Sequence, residues 1–141
     1  MKISTRGRYA LRAMVDLAEQ DSDDYIPLGS IAARQEISPK YIESIMSDLS
    51  KAGLVDGKHG KGGGYKLNRP SEEYNVGEIL KIAEGDIYPV ECMTECSKPC
   101  NRSSFCKTLK LWQDFYALID GYFASISLKD VTLSQFSGKT V

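Results

Sequence analysis

Long apolar runs are missing from this chain, and so is every other sequence feature of a membrane protein. No stretch approaches the roughly 18 consecutive apolar residues that a membrane-spanning helix needs. The basic residues near the start lead into no unbroken apolar segment of the kind found in signal peptides. The sequence therefore predicts a cytoplasmic protein that has no membrane partner.

Residue patterns that carry out catalysis are also scarce. The chain has a single histidine, His59, and shows neither paired carboxylates nor a cofactor-binding fingerprint. Its glycine-rich segment, 57–64, contains two Gly-Lys pairs, but neither is followed by the Ser or Thr of a phosphate-binding loop. These absences disfavour an enzyme or an electron-transfer protein and predict a binding protein.

The net charge is only −1, but the charged residues are unevenly distributed along the chain. Basic side chains crowd the first twelve positions, acidic side chains dominate positions 16–24, and the stretch 58–69 is basic without any acidic residue. Separate stripes of one sign suit a protein that touches phosphates along one face. An ordinary solvated surface would give the same pattern, so charge alone does not decide between the two.

Three segments near the start have apolar residues at helical spacing, and they predict a helix-turn-helix. The segments are 5–20, 28–35 and 38–52, with Ser38 as the N-cap of the third helix and Pro39 in its first turn. A plain three-helix bundle with a polar outer face would give the same pattern. In a helix-turn-helix, the first turns of the second helix present polar side chains to base edges. The side chains that lie off the buried stripe are Ser38, Lys40, Glu43 and Ser44.

A glycine-rich loop follows the third helix between two short strands, and it predicts the wing of a winged helix. Glycines there allow the backbone to approach DNA closely, and lysines neutralise phosphates or enter the minor groove. The basic candidates at the tip are Lys58, His59 and Lys61. A purely structural glycine hairpin is the alternative. The fold class predicted is mainly α with a small β-hairpin wing.

All four cysteines lie within fifteen residues, in the pattern Cys92-x3-Cys96-x3-Cys100-x5-Cys106. Clustered thiols in a cytoplasmic protein indicate metal binding more often than disulfides. An iron–sulfur cluster is favoured over zinc because the tight C-x2-C pairs of zinc sites are absent. Redox-sensitive thiols are a third reading.

The longest helix candidate is the segment 105–126, which carries a strongly aromatic stripe from Leu109 to Ile126. The DNA-binding part of the chain, a head of about eighty residues, cannot cover that aromatic surface well. This favours pairing with the same helix of a second subunit. Folding back onto its own head is the alternative. The predicted organisation is a DNA-binding domain over 1–85, a cysteine loop over 86–104, a dimerisation helix over 105–132 and a flexible tail over 133–141.

Several of these motifs together resemble one family. The opening Lys2 to Leu11, Ile37-Ser38 with Tyr41 to Glu43, Ala52 to Val55, and Gly62 to Tyr65 are similar to IscR/NsrR/CymR-type regulators, the Rrf2 family. That resemblance implies a homodimeric winged-helix repressor that binds double-stranded DNA at a pseudo-palindromic operator. It also implies that the segment 38–44, Tyr41 included, reads the major groove, that Tyr9 contacts the DNA backbone, and that the wing enters the minor groove. The arginine often found at the family's wing tip is His59 here.

The same resemblance bears on the cysteines. Iron–sulfur members of the family end this loop in C-x5-C, as Cys100 and Cys106 do, with a third cysteine upstream that Cys92 matches. The implied cofactor is an iron–sulfur cluster, of the 2Fe–2S rather than the 4Fe–4S type, on those three thiols. Some members use a histidine where this chain has Leu109, so the fourth ligand stays open between Cys96, a carboxylate and a residue of the second subunit. Other members regulate cysteine metabolism without a cluster, and others respond to nitric oxide or redox state.

Overall fold

The computed structural model describes residues 1–85, 87–95 and 98–136 of the 141-residue chain. Within them the secondary structure is mostly helical, and the strands form one antiparallel hairpin. The predicted fold class, mainly α with a small β-hairpin wing, is confirmed. The elements in chain order are α1 (Thr5–Gln20), α2 (Leu28–Gln35), α3 (Pro39–Lys51), β1 (Val55–Lys58), β2 (Gly64–Leu67), α4 (Val76–Glu84), α5 (Leu109–Ser125) and α6 (Leu128–Leu133).

The helix-turn-helix forms where the local sequence indicates it. The α2 helix ends at Glu36, which adopts the left-handed conformation at φ 55°. Ile37 then buries its side chain in the core, and the Ser38 hydroxyl accepts a hydrogen bond from the Tyr41 amide at 3.2 Å to cap α3. The buried Ile37 holds the turn against the core, and the Ser38 cap sets the start of α3. Together they fix the angle between α2 and α3.

One core joins the helices of the head. It is built from the buried faces of α1 and α3 together with residues of α2, β1 and α4, and it reaches the C-terminal helix α6. Leu128 of α6 is completely buried in that core, although it lies more than forty residues after the end of α4. The head is therefore completed by the end of the described chain and not by its first half alone.

The segment 105–132, predicted as the dimerisation helix, is not one continuous helix, although the helix candidate 105–126 ends within one residue of α5. The chain forms turns before α5 begins at Leu109, and it leaves the helix again at Ile126, which is extended and 2% exposed. Ser127 then caps α6: its hydroxyl accepts from the Asp130 amide at 3.0 Å, while the Asp130 carboxylate accepts from the Ser127 amide at 2.9 Å. This reciprocal cap, together with burial of Ile126 and Leu128, offsets the free energy lost where the helical hydrogen bonds are interrupted. The 128–133 segment consequently packs against α1.

Asp16 is a buried carboxylate that ties α1 to α2. Its side chain is 2% exposed and accepts hydrogen bonds from Arg34 Nη2 at 2.7 Å and from Gln35 Nε2 at 3.0 Å. The Arg34 side chain is 39% exposed, so only the acidic partner is fully removed from water. Losing the arginine therefore leaves a buried charge, whereas losing the acid leaves an arginine that can turn outward.

Arg34→Met is expected to lower the free energy of unfolding by about 2 kcal/mol, less than for a fully buried pair because Arg34 is partly solvated. Urea denaturation followed by circular dichroism measures this change. Arg8→Met is the control, because Arg8 is exposed and, in the part of the chain that the structure describes, its side chain bonds to Thr5 of the same helix. Its expected loss is within about 0.5 kcal/mol. Equal losses in the two variants would contradict the assigned role of the buried pair.

Within the described residues, none of the helices combines the length and the apolar character that a bilayer span requires.

Candidate DNA interface and cysteine pocket

The first turns of α3 present the polar side chains that the sequence predicts. Ser38, Lys40, Glu43 and Ser44 are all exposed, and Ile42 and Ile45 between them are buried. The Ser38 hydroxyl accepts the capping bond, which uses one of its two lone pairs and leaves its O–H free to donate. Lys40 and Glu43 carry no such local bond among the described contacts. They are the charged side chains on this face that are available to a ligand.

Tyr9 of α1 and Tyr41 of α3 meet at the start of the third helix. Their rings pack edge to face, with centroids 5.6 Å apart. The guanidinium of Arg12 lies 5.2 Å from the centre of the Tyr9 ring and donates to Gln35 Oε1 at 3.1 Å. The structure thus joins two predicted site residues from distant parts of the sequence into one cluster, with a positive charge beside it.

Ser44 is held by an arginine that the sequence analysis did not assign to the site. Arg6 Nη1 donates to the Ser44 hydroxyl at 3.3 Å, and Arg6 Nη2 pairs with the carboxylate of Asp48 one turn further along α3. Ser44 is therefore not a free reading side chain, but part of a link between α1 and α3. The basic stripe at residues 2–12 was the only sequence signal for this contact.

A cleft of about 470 Å³ lies between α3 and the wing. It brings together Glu43 on the helix and Lys58 and His59 on the hairpin, three of the residues predicted from sequence. Tyr65 also lines it, and burial, together with the negative charge of Glu43, raises the pKa of its hydroxyl. Ser47, Ser50 and Lys51 of α3 line the cleft as well and were missed, although their spacing from Glu43 places them on the same side of the helix.

The glycine-rich loop is shorter than predicted, because Gly57, Lys58 and Gly64 belong to the strands. Lys58 is paired with Gly64, and the connecting loop is limited to residues 59–63. Gly64 has φ +148°, and a Cβ there would lie 2.0 Å from the Ile26 carbonyl oxygen, so a glycine is needed where β2 meets the segment before α2. Lys61 is exposed at the tip and lies outside the cleft.

The cysteines that the structure describes share a second pocket. Cys92, Cys100 and Cys106 line a pocket of about 340 Å³ together with Leu109 and Gln113 of α5. The fourth cysteine, Cys96, lies outside the described residues. The described residues from 98 to 108 that carry Cys100 and Cys106 are mostly exposed.

Cys106 lies beside hydrogen-bond donors at the start of α5. Its sulfur lies 3.3 Å from the Thr108 hydroxyl. Hydrogen bonds from that hydroxyl and from the backbone amides of Thr108 and Leu109, with a smaller contribution from Arg102, lower the pKa of the Cys106 thiol. A lowered pKa favours the thiolate, which is the form that binds metals.

The donor set fits an iron–sulfur cluster by its chemistry, because three soft thiol ligands line one pocket. The described residues contain no group of three or more His, Cys, Asp or Glu side chains arranged around a single metal ion. Leu109 lines the pocket and its side chain offers no donor atom. Among the described residues that line the pocket, none carries a carboxylate or an imidazole that could be the fourth ligand.

The α5 helix has two neighbouring apolar faces, and only one of them is covered. Trp112, Tyr116, Ile119 and Phe123 are half-buried on the side of α4, where the Tyr116 ring lies 4.6 Å from that of Tyr88. The neighbouring face, about 100° around the helix, is solvent-exposed over about three turns. That uncovered stripe consists of Leu111, Phe115, Leu118 and Tyr122, with exposed fractions of 58%, 40%, 54% and 40%.

Comparisons with known proteins agree on one family. The Rrf2 model, described as iron-dependent transcriptional regulator, matches residues 3–133. The chain is 35% identical to the HTH-type transcriptional regulator IscR of Photorhabdus laumondii over 135 residues, which cover 96% of this chain and 81% of that protein.

Solved structures give the same result. CymR, the global cysteine regulator of B. subtilis, is 34% identical, with a TM-score of 0.74 over 95% of this chain and 98% of that one. The IscR of T. potens is 32% identical, with a TM-score of 0.73 over 95% of this chain and 88% of that one. These proteins are transcription regulators and not enzymes, in agreement with the absence of catalytic patterns in the sequence.

Proposed function

Because the chain belongs to the Rrf2 family of transcription regulators, we propose that it binds DNA as a homodimer and senses iron–sulfur status through Cys92, Cys100 and Cys106. The observation that carries the sensing proposal is that these three thiols, which are separated by seven and five residues in the sequence, line a single pocket. An iron–sulfur cluster bound there would supply a redox-active group that is lost when iron or sulfide is scarce. Cys96 remains a candidate for the fourth ligand.

The DNA-reading part of the proposal uses α3 and the wing. Lys40 and Glu43 are the free charged side chains on the exposed face of α3, suited to guanine or phosphate and to the cytosine amino group, respectively. Lys58 and His59 lie across the cleft from Glu43, and Lys61 extends beyond it at the tip. The Tyr9–Tyr41 cluster is proposed to face the DNA backbone beside Ser38 and Ser44.

The homodimer part of the proposal uses the uncovered stripe of α5. Four large apolar side chains repeat there at spacings of four and three residues, which is the seam of two helices that pack side by side. A second copy presents the same stripe and covers it with two-fold symmetry. Two reading helices related in this way would require a pseudo-palindromic operator with half-sites one helical turn or more apart.

In the proposed domain organisation, residues 1–85 bind DNA, residues 86–104 hold the cluster and residues 105–132 form the dimer interface. Burial of Leu128 in the head attaches α6 to the DNA-binding part as well. The proposed tail, 133–141, lies outside the described residues from position 137 onward.

A second candidate is a cluster-free regulator of cysteine metabolism. The observations that favour it are the similarity to CymR, the global cysteine regulator, and the presence of Leu109 in the pocket, without a donor atom. In that case the cysteines would serve as reactive thiols or have no sensing role.

One experiment separates these two candidates. The full-length protein is reconstituted anaerobically with ferrous iron and sulfide, and its visible spectrum, iron and sulfide contents are measured. A DNA site is selected from a random duplex pool, and its affinity is measured at physiological salt for the loaded and the metal-free protein. Visible absorbance, bound iron and sulfide, and a change in operator affinity of about tenfold or more support the cluster regulator.

Other outcomes decide against it. A colourless protein without iron that still binds its selected site favours the cluster-free candidate. A protein that binds its selected site no better than a scrambled duplex contradicts both candidates, because specific sites are ordinarily bound at least about a thousandfold more tightly than non-specific DNA.

A further inference from the structure

A carboxylate at the end of α4 is bound to the first residues of α1. Glu84 is the last residue of α4, and its Oε1 accepts hydrogen bonds from the Ser4 amide at 2.9 Å and from the Ser4 hydroxyl at 2.7 Å. The same hydroxyl accepts from the Gly7 amide at 3.3 Å, which makes Ser4 the N-cap of α1. A negative charge at a helix N-terminus is favourable, so Glu84 stabilises the position at which α1 begins.

Gly7 makes room for this carboxylate. It is buried, and a Cβ at this position would lie 2.1 Å from Glu84 Oε1. Gly7 is helical and does not need a positive φ, so space is the reason for the glycine. An alanine there would displace the end of the Glu84 side chain while keeping α1 helical. Gly7→Ala is thus a second way to break the contact with Ser4 without removing the charge.

Two residues after Ser4, Arg6 extends to the reading helix. Its guanidinium bonds the Ser44 hydroxyl at 3.3 Å and the Ser44 carbonyl at 3.4 Å, and it pairs with Asp48. Ser44 lies on the exposed face of α3, directly after Glu43. The start of α1 therefore lies between the end of α4 on one side and the DNA-facing side of α3 on the other.

The chain beyond Glu84 leads straight into the cysteine segment. Gly85 ends α4 with φ +81°, and Ile87 is buried before the chain continues to Cys92 through mostly solvent-accessible residues. Glu84 is thus a charged side chain that is bound to the head and precedes Cys92 by eight residues. A shift at the start of the cysteine segment would act first on this carboxylate.

We propose that Glu84 is a positioning residue for DNA recognition: it fixes Ser4, thereby holds Arg6 against Ser44 and Asp48, and so couples the cysteine segment to the orientation of α3. This inference rests on the proposed DNA-reading and cluster-binding functions and assigns to Glu84 the contact between them. Glu84 itself does not touch DNA. Its effect on affinity passes through Arg6.

The test is a double-mutant cycle on the full-length protein, with the selected duplex and a scrambled duplex as probes. Glu84→Ala and Gly7→Ala are each expected to weaken binding to the selected site about tenfold and to leave binding to the scrambled site within about twofold. Glu84→Gln retains an oxygen that accepts from Ser4, so it is expected to stay within about threefold of the unsubstituted protein. Glu72→Ala, which removes an exposed acid of the head, is the control and should change neither affinity.

The combination with Arg6→Ala decides whether Glu84 acts through Arg6. The double variant Glu84→Ala/Arg6→Ala is expected to bind no more weakly than Arg6→Ala alone. If the two losses multiply instead, Glu84 does not act through Arg6, and the inference is overturned. It is also overturned if Glu84→Ala and Gly7→Ala reduce binding to both duplexes equally, since that is the result of a purely structural loss.

The coupling to the cysteine segment has its own measurement. The ratio of affinities between iron- and sulfide-loaded protein and metal-free protein is expected to fall to within about twofold of one in Glu84→Ala and in Gly7→Ala, with the visible spectrum unchanged. A ratio that both variants retain overturns the coupling but not the proposed function. A ratio of one in the unsubstituted protein overturns the proposed sensing and the coupling together.

Discussion

Leu118→Glu is expected to convert the protein into a monomer and to weaken its binding to a two-half-site operator by about a hundredfold or more. Leu118 lies in the middle of the uncovered stripe of α5 and is 54% exposed in the isolated chain. A glutamate there would place two like charges close to the two-fold axis of the proposed dimer, in an apolar surface with no counter-ion. Without the dimer, the second half-site is no longer bound from a linked subunit.

Sedimentation equilibrium measures the oligomeric state, and titration of the operator and of a single half-site measures the two affinities. The half-site affinity is expected to stay unchanged, because the reading helix is remote from the substitution. Ala117→Glu is the matched control, since it adds the same charge on an exposed position of the same helix beside the stripe. If Leu118→Glu remains a dimer, the stripe is not the interface.

Cys106→Ala is expected to abolish the visible absorbance and the bound iron and sulfide of the reconstituted protein. The substitution removes one of three thiols in the pocket, and hydrogen bonds to this one favour the thiolate. Without Cys106, two of the three proposed ligands and the open fourth ligand remain, which are too few for the usual ligation of a cluster. Cys92→Ala and Cys100→Ala should have the same effect.

Cys96→Ala distinguishes between the possible sources of the fourth ligand. An unchanged spectrum would remove Cys96 from the ligand set and leave a carboxylate or a residue of the second subunit. Loss of the visible absorbance would identify Cys96 as the fourth ligand. If Cys106→Ala keeps a normal spectrum and iron content, the three-thiol site itself is contradicted.

The sequence predicts α1 to α3 well because their boundaries depend on neighbouring residues. Ser38 caps α3 through an amide three residues later, and Pro39 suits the first turn, so both signals lie within the helix that they define. The hairpin of the wing was also predicted from local sequence, namely its run of glycines. The strands extend further into that run than predicted. Gly64 belongs to β2 because of its approach to Ile26, a contact with a segment that lies far earlier in the chain.

The C-terminal segment was predicted less well, because its structure depends on residues that are far away in the sequence. The aromatic residues of 105–132 are spread around the helix, and which of its faces is covered depends on the position of α4. The helix break at Ile126 had a readable signal in the Ser127–Asp130 cap, but it is the burial of Ile126 and Leu128 that makes the break favourable. Arg6 and Asp48 were likewise visible as charges, but their pairing is a tertiary contact between separate helices.

The burial of Leu128 in the head also affects the order of events during synthesis. Because α6 packs on α1, the core that supports the reading helix joins the first helix of the chain to one of the last described elements. Contacts between residues so far apart in sequence form late and slow folding. A nascent chain on the ribosome would therefore lack a finished DNA-binding head until α6 had emerged. Translation of nearly the whole described chain, and not only of its first half, is thus expected to precede the first competent encounter with an operator.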